Sequence, residues 1–132
     1  MVSPTTDPTA IGHDVVIVVV PADGSYLAVL RTATAGMAAR LQMTLDEIED
    51  LRIAVDEACG ILLPIASHDS EVTCRFAVTP EALKIDVSVV TNNGSKLPGG
   101  QSFSWQVLTA LAGEVSAEEV DDVATIHLTK RR

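Results

Sequence analysis

The sequence predicts an α+β domain, an α/β sandwich in which helices cover one face of a single, mostly antiparallel sheet. Residues 71–78 and 83–89 alternate apolar and polar side chains and are joined by a short turn, which is typical of an antiparallel hairpin. Two earlier stretches repeat apolar residues every three or four positions, as amphipathic helices do. The predicted element order is β-α-α-β-β-α-β.

Size and composition predict one folded domain. The chain has 132 residues, of which 47% are hydrophobic, and this is enough for a full core without disulfides or metal. Residues 1–12 contain two prolines and three threonines with no periodicity, so we expect a flexible N-terminal tail followed by a domain over residues 13–132.

The charge is strongly acidic, with 18 Asp and Glu against 9 Lys and Arg and a net charge of −9. Such a protein repels phosphate backbones and anionic lipids, so we expect neither nucleic acid nor membrane as a partner. A basic protein surface is the better candidate. The start of the chain lacks the pattern of a signal peptide, and its cysteines form no CxxC motif, which predicts a cytoplasmic location.

The first predicted strand, Val15–Val20, is apolar on both faces and ends at Pro21. Such a strand is either covered on both sides within the chain or paired in an interface. We therefore expect the protein to self-associate, as a homodimer.

The first predicted helix carries a core stripe made of Leu27, Leu30, Thr34, Met37 and Leu41. Arg31 lies one turn after Leu27, at the rim of that stripe. A planar cation beside apolar surface is a common interface anchor, but an arginine whose stem covers the edge of the core fits equally well.

The second predicted helix begins at Thr44, which forms a Thr-x-x-Glu capping box with Glu47, and ends near Leu63 because Pro64 follows. Its core stripe consists of Leu45, Ile48, Leu51, Val55, Cys59 and Leu62. The opposite side is also apolar and holds one carboxylate, with Ile53, Ala54, Glu57 and Ile61. Either a pocket or partner surface is centred on Glu57, or the helix is sandwiched inside the protein with Glu57 at its edge.

The second half of the chain closes the sheet. Thr91–Gln101 has the composition of a loop, and Ser102 or Ser104 caps a third helix that contains Trp105 and ends at Gly113. The last strand turns Ala124, Ile126 and Leu128 inward, and residues 114–120 could pair with it.

The sequence offers little support for metal or nucleophilic chemistry. The acidic cluster Asp46, Glu47, Glu49 and Asp50 suits a solvated helix start. The histidines His13, His68 and His127 lie far apart and lack the spacing of metal ligands. Cys59 and Cys74 fall on core faces. We therefore expect no metal site.

Three segments together resemble the RsbW-type family of anti-sigma factors and serine-protein kinases, most closely its actinobacterial branch. They are Tyr26–Arg31, Leu51–Cys59 and Phe103–Ala112, and the likeness extends over the chain from about Asp14. The resemblance implies the fold of the GHKL ATPases. It also implies a protein that holds an alternative sigma factor inactive and releases it to an anti-anti-sigma factor of the STAS type. Many members phosphorylate a serine of that antagonist with ATP.

Only some of the family's functional residues are present in this sequence. Kinase members have Glu-x-x-x-Asn on the second helix; Glu57 matches the catalytic Glu, but Ile61 stands where the Asn would hold Mg²⁺. The adenine-binding Asp is also missing from the aligned stretch Thr91–Ser95. By contrast, Arg31 corresponds to the arginine that contacts protein partners, and Leu27 lies beside it.

Three functions therefore remain open. The first is an anti-sigma factor with a degenerate nucleotide site and no bound cofactor. The second is an active serine kinase that uses ATP, Mg²⁺ and Glu57. The third is a regulator that binds a small ligand in the former nucleotide pocket.

Overall fold

A computed structural model of the chain describes residues 14–92, 95–98 and 102–132. The predicted tail and residue 13 lie outside this range. Three helices and five strands follow one another as β1 (Asp14–Pro21), α1 (Leu27–Arg40), α2 (Leu45–Leu62), β2 (Glu71–Val78), β3 (Ala82–Val90), α3 (Phe103–Ala112), β4 (Glu114–Val120) and β5 (Val123–Arg131). The predicted α+β class is confirmed.

The five strands form one sheet in the order β1-β2-β3-β5-β4, and all four pairings are antiparallel. β2 and β3 form the predicted hairpin, with Val78 opposite Leu83. Residues 114–120 do pair with the last strand, which adds a fifth strand to the predicted order. Among the described residues, β1 and β4 are the two edges of the sheet.

The core lies between one face of the sheet and the helices. The residues that alternate inward along β2, β3 and β5 are fully buried, among them Phe76, Ile85 and Leu128. Helix α2 contacts both α1 and α3, so it is the central helix of the layer. This arrangement explains why its sequence is apolar on two sides.

The boundaries of α2 follow the sequence closely. The Thr44 hydroxyl accepts from the Glu47 amide at 3.1 Å, and the Glu47 carboxylate accepts from the Thr44 amide at 2.9 Å, which completes the predicted capping box. A short 3-10 turn with Pro64 follows Leu62. The assignment of Leu45 to the core stripe is wrong, because Leu45 is 85% exposed. It is the first residue of α2 and lies beyond the part of the helix that packs against the core.

The buried polar residue of α1 is hydrogen-bonded, and both predicted ends of α3 are present. Thr34 is buried in α1, where its hydroxyl donates to the Leu30 carbonyl at 2.7 Å, so this polar group is satisfied. The Ser102 hydroxyl accepts from the Trp105 amide at the start of α3, and Gly113 ends that helix with a φ of 93°. Such a positive φ favours glycine.

The first strand is not covered on both sides by the described part of the chain. β1 pairs with β2 along one edge only, and Val16, Ile17 and Val19 remain 40%, 58% and 49% exposed. Val20 is the one buried valine of the strand. Of the two sequence interpretations, burial within the chain is wrong for this range, and pairing in an interface stays a prediction.

Candidate functional site

The outer side of α1 is an apolar surface that carries almost no charge. Between residues 24 and 45 the chain contains no acidic residue, and its only charges are Arg31 and Arg40. A shallow groove of about 510 Å³ is lined there by Ala28, Val29, Thr32 and Ala33. A helix that is apolar on its solvent side is unusual, especially in a protein with a net charge of −9, and marks a surface suited to contact with another protein.

Arg31 lies at the border between α1 and α2, at the rim of the core as the sequence predicts. Its Nη1 donates to Oδ1 of Asp56 at 2.9 Å, and the two side chains are 34% and 38% exposed. This contact uses one nitrogen of a guanidinium that has five N–H donors, so the ion pair orients the group without saturating it. Leu27 is partly buried against the core one turn earlier.

The second apolar face of α2 is explained by helix packing. Ala54 is fully buried and Ile61 is 7% exposed, because both belong to the core. Ile53 is exposed, and Glu57 is half-buried between these positions. The structure therefore has α2 sandwiched inside the protein with Glu57 at its edge, and places the apolar Ile61 in the core.

In the stretch aligned with the adenine motif, Thr91 and Asn92 are hydrogen-bonded to neighbouring segments. The Thr91 amide and hydroxyl both donate to the Asp122 carbonyl, at 2.8 and 3.2 Å, and the Asn92 amide donates to the Ile65 carbonyl at 2.7 Å. These donors are thus engaged within the chain. Residues 93 and 94 of the motif lie outside the described range.

The outer face of the sheet carries a charge cluster that the sequence alone does not predict. His127 Nδ1 lies 2.7 Å from Asp86 Oδ1, and its Nε2 lies 2.7 Å from Glu118 Oε1. Arg75 Nη1 lies 3.6 Å from the other oxygen of Asp86. Partial burial works to lower the pKa of His127, but the hydrogen bonds and charges of the two carboxylates outweigh it and raise the pKa. The alternation of the last strand predicts that His127 faces outward. Its two carboxylate partners are brought beside it by the register in which β5 pairs with β3 and β4.

The other titratable residues have structural surroundings. Burial raises the pKa of the Cys59 thiol to about 12 and raises that of Cys74 further, so both stay protonated. The Thr44 amide that donates to Glu47 lowers the pKa of that carboxyl. His68 is exposed beside Asp69, and His13 lies outside the described range. Among the described residues, no group of three or more His, Cys, Asp or Glu is placed to hold a metal ion.

Comparisons with known proteins find relatives that are named RsbW. No family model matches the chain. The anti-sigma-F factor RsbW of Mycobacterium tuberculosis is 37% identical over 103 residues, which are 76% of this chain and 55% of that protein. The serine-protein kinase RsbW of Bacillus subtilis is 40% identical over 72 residues, 52% of this chain and 45% of that protein. The chain thus spans about half the length of the curated relatives it matches.

A solved structure shows the same fold. The RsbU and RsbW domains of a Mycobacterium tuberculosis protein match 89% of this chain and 32% of that chain, with a TM-score of 0.72 and 15% identity. With one antiparallel five-stranded sheet and three helices, the described part of the chain has the fold of that RsbW domain, which is the GHKL-type fold. Together with the sequence relatives, the fold shows that the chain belongs to the RsbW-type family. In the described range, none of the helices is both long and apolar enough to cross a membrane.

Proposed function

We propose that the protein is an anti-sigma factor that holds an alternative sigma factor inactive through the exposed side of α1. The observation that carries this proposal is the apolar, acid-free surface of that helix, with Arg31 held at its border by Asp56. The relative named anti-sigma-F factor, which matches 76% of the chain, supports the same role. A protein that regulates transcription in this way acts in the cytoplasm.

Arg31 anchors this complex, and Leu27 supports the surface beside it. Arginines that act as interface anchors typically cost about 2 kcal/mol on truncation, which is about thirtyfold in affinity. The Arg31–Asp56 pair is partly exposed and contributes only about 0.5 kcal/mol to folding. Binding and folding effects can therefore be separated.

The test is the affinity of purified alternative sigma factors of the source organism for wild type and Arg31→Ala. We expect a stoichiometric complex with one of them and a loss of about thirtyfold in the variant. Arg40→Ala is the matched control, because Arg40 lies on the same helix and forms an exposed ion pair with Asp14. Equal affinities for wild type and Arg31→Ala, with melting temperatures unchanged, would remove the anchor role.

We further propose that the chain does not transfer phosphate from ATP. Phosphoryl transfer needs Mg²⁺, which requires oxygen ligands, and Ile61 offers none and lies in the core. Thr91 and Asn92 offer only neutral hydrogen bonds where a carboxylate would give bonds about twice as strong.

The experiment is calorimetry with ATP and Mg²⁺, followed by incubation with labelled ATP and a purified STAS protein of the source organism. We expect at most weak binding that does not depend on Mg²⁺, and no phosphoserine. Phosphorylation that disappears in Glu57→Ala would establish the kinase alternative. Tight binding of ATP that does not depend on Mg²⁺ and displaces the sigma factor would favour a ligand-responsive regulator.

We also propose how the sigma factor is released and how the protein self-associates. A STAS-type anti-anti-sigma factor competes for the protein by partner switching, as the resemblance implies. The homodimer forms through β1, because Ile17 and Val19 on the outer face of that edge strand are exposed.

A further inference from the structure

β4 pairs only with β5 among the described residues, and its other edge, the free edge, borders a groove of about 440 Å³. Five consecutive residues of the strand line it, Val115 to Glu119. Successive residues of a strand point to opposite faces of the sheet, so a cavity that touches all five runs along the edge of the strand. Its opposite wall consists of Leu97, Pro98, Trp105 and Thr109.

The walls of the groove are held in place by hydrogen bonds. The Trp105 indole Nε1 donates to the Pro98 carbonyl at 2.9 Å, and the Leu97 amide donates to Glu119 Oε1 at 3.0 Å. Trp105 is 8% exposed and lines the groove. The groove is therefore formed in the free protein, and a ligand does not need to order it.

The two faces of β4 differ in chemistry. Val115, Ala117 and Glu119 lie on the inner face, opposite Leu128, Ile126 and Ala124 of β5, and the Glu119 carboxylate lies 3.9 Å from the Lys96 ammonium. Glu114 and Glu118 lie on the outer face and remain about half exposed, although each has one ion-pair partner on β5. The strand and the turn after it, residues 114–122, contain five acidic residues and no basic residue.

We propose that this edge binds an extended, basic segment of a partner protein by strand addition. Backbone hydrogen bonds to the free edge of β4 supply affinity, since an edge strand presents unpaired amides and carbonyls. Alternate side chains of the segment then point inward, where apolar residues contact Trp105 and Leu97. Those between them point outward, where Lys or Arg meets Glu114 and Glu118.

Charge decides in favour of a basic segment over a second copy of this chain. Two β4 strands side by side would bring six carboxylates together, three from each strand, and like charges on neighbouring strands destabilise pairing. A segment that alternates basic and apolar residues matches both faces at once. The site lies at the opposite edge of the sheet from β1 and does not depend on the proposed role of α1.

The probe is a capped, fluorescent Lys-Val-Lys-Leu-Lys-Val-Lys peptide. The control peptide has the same composition in the order Lys-Lys-Lys-Lys-Val-Leu-Val, so it has equal charge without alternation. We expect a dissociation constant of about 10–100 µM for the alternating peptide, typical of small transient interfaces, and at least tenfold weaker binding of the control. In amide NMR spectra, the shifts should map to β4 and to the Trp105 indole.

Ala117→Lys places a positive charge inside the groove and should weaken binding of the alternating peptide at least tenfold. Ala39→Lys makes the same change on the exposed side of α1 and should leave binding unchanged. Equal binding of both peptides, an unaffected Ala117→Lys variant, or shifts that map to other strands would overturn the proposal. Shifts of β4 amides that grow with protein concentration in the absence of peptide would overturn it in favour of self-association.

Discussion

The two edges of the sheet are both antiparallel strands, but their exposed side chains differ in chemistry. β1 exposes Ile17 and Val19 on its outer face, whereas β4 exposes Glu114 and Glu118 on the same face. Both edges belong to one antiparallel sheet, so pairing capacity alone does not distinguish them. Side-chain chemistry does, because an apolar edge favours a copy of itself and an acidic edge repels one.

One cross-strand row makes the comparison direct. Ile17 of β1 and Ser116 of β4 are the two ends of a row that crosses the outer face through Arg75, Asp86 and His127. A substitution at either end therefore places its side chain at an equivalent position, on the outer face of an edge strand. The difference between two such variants then measures the chemistry of the edge.

The largest effect is expected for Ile17→Lys on the proposed dimer. Burial of an Ile side chain is worth about 1.5–3 kcal/mol, and a two-fold interface contains it twice. The substitution should therefore weaken self-association by at least about a hundredfold. Light scattering after gel filtration, at tens of micromolar protein, should report a dimer for wild type and a monomer for the variant.

Ser116→Lys is the matched control at the other end of the row, and its mass should equal that of wild type. A monomeric wild-type protein would contradict self-association itself. A variant at Ser116 that dissociates while Ile17→Lys stays dimeric would assign the interface to β4 and reverse the comparison.

A pH effect of intermediate size is expected at the β4 edge. His127 joins β5 to Glu118 of β4 and to Asp86 of β3, and Arg75 of β2 faces the same Asp86. The pKa of His127 is raised in the folded state. Its stabilising contribution is therefore complete below the unfolded pKa of about 6.5 and is lost as the pH rises through the higher folded pKa.

Urea unfolding between about pH 6 and 7.5 checks this expectation, about one unit below the usual cysteine pKa in an unfolded chain. The unfolding free energy of wild type should decrease with rising pH, and His127→Gln should flatten the curve. Hydrogen exchange at one pH adds a local readout: in the variant, β4 amides should lose protection while β1 amides keep theirs. An unchanged slope in His127→Gln would show that the cluster does not stabilise β4.

The sequence predicts much of this fold for identifiable physical reasons. Strict alternation along β2, β3 and β5 marks the buried face, and the Thr44–Glu47 capping box marks the start of α2. The His127 cluster could not be derived in the same way, because its carboxylates are 41 and 9 residues away and meet only through strand register.

In the candidate site, too, features set by neighbouring residues can be predicted from the sequence, whereas features set by packing between elements cannot. Arg31 follows from helix periodicity, but its ion pair with Asp56 depends on how α1 packs against α2. The second apolar face of α2 is visible in the sequence, although only the position of α2 between two helices shows what covers Ala54 and Ile61. The groove beside β4 needs three separate segments in place.

The smallest effect is expected from the ion pairs that lie beside the two edges. Arg40 Nη2 is 3.3 Å from Asp14 Oδ2 at the β1 edge, and Arg131 Nε is 2.6 Å from Glu114 Oε2 at the β4 edge. All four side chains are more than half exposed, and exposed pairs contribute little because water competes and salt screens them. Asp14→Asn and Glu114→Gln should each change the melting temperature by less than about 3 °C, and the change should shrink in about 0.5 M salt, where the Debye length is only about 4 Å. A larger drop for Glu114→Gln alone would mean that this pair fastens β4 to β5, so that the edges would differ in how firmly they are held as well as in the partner they suit.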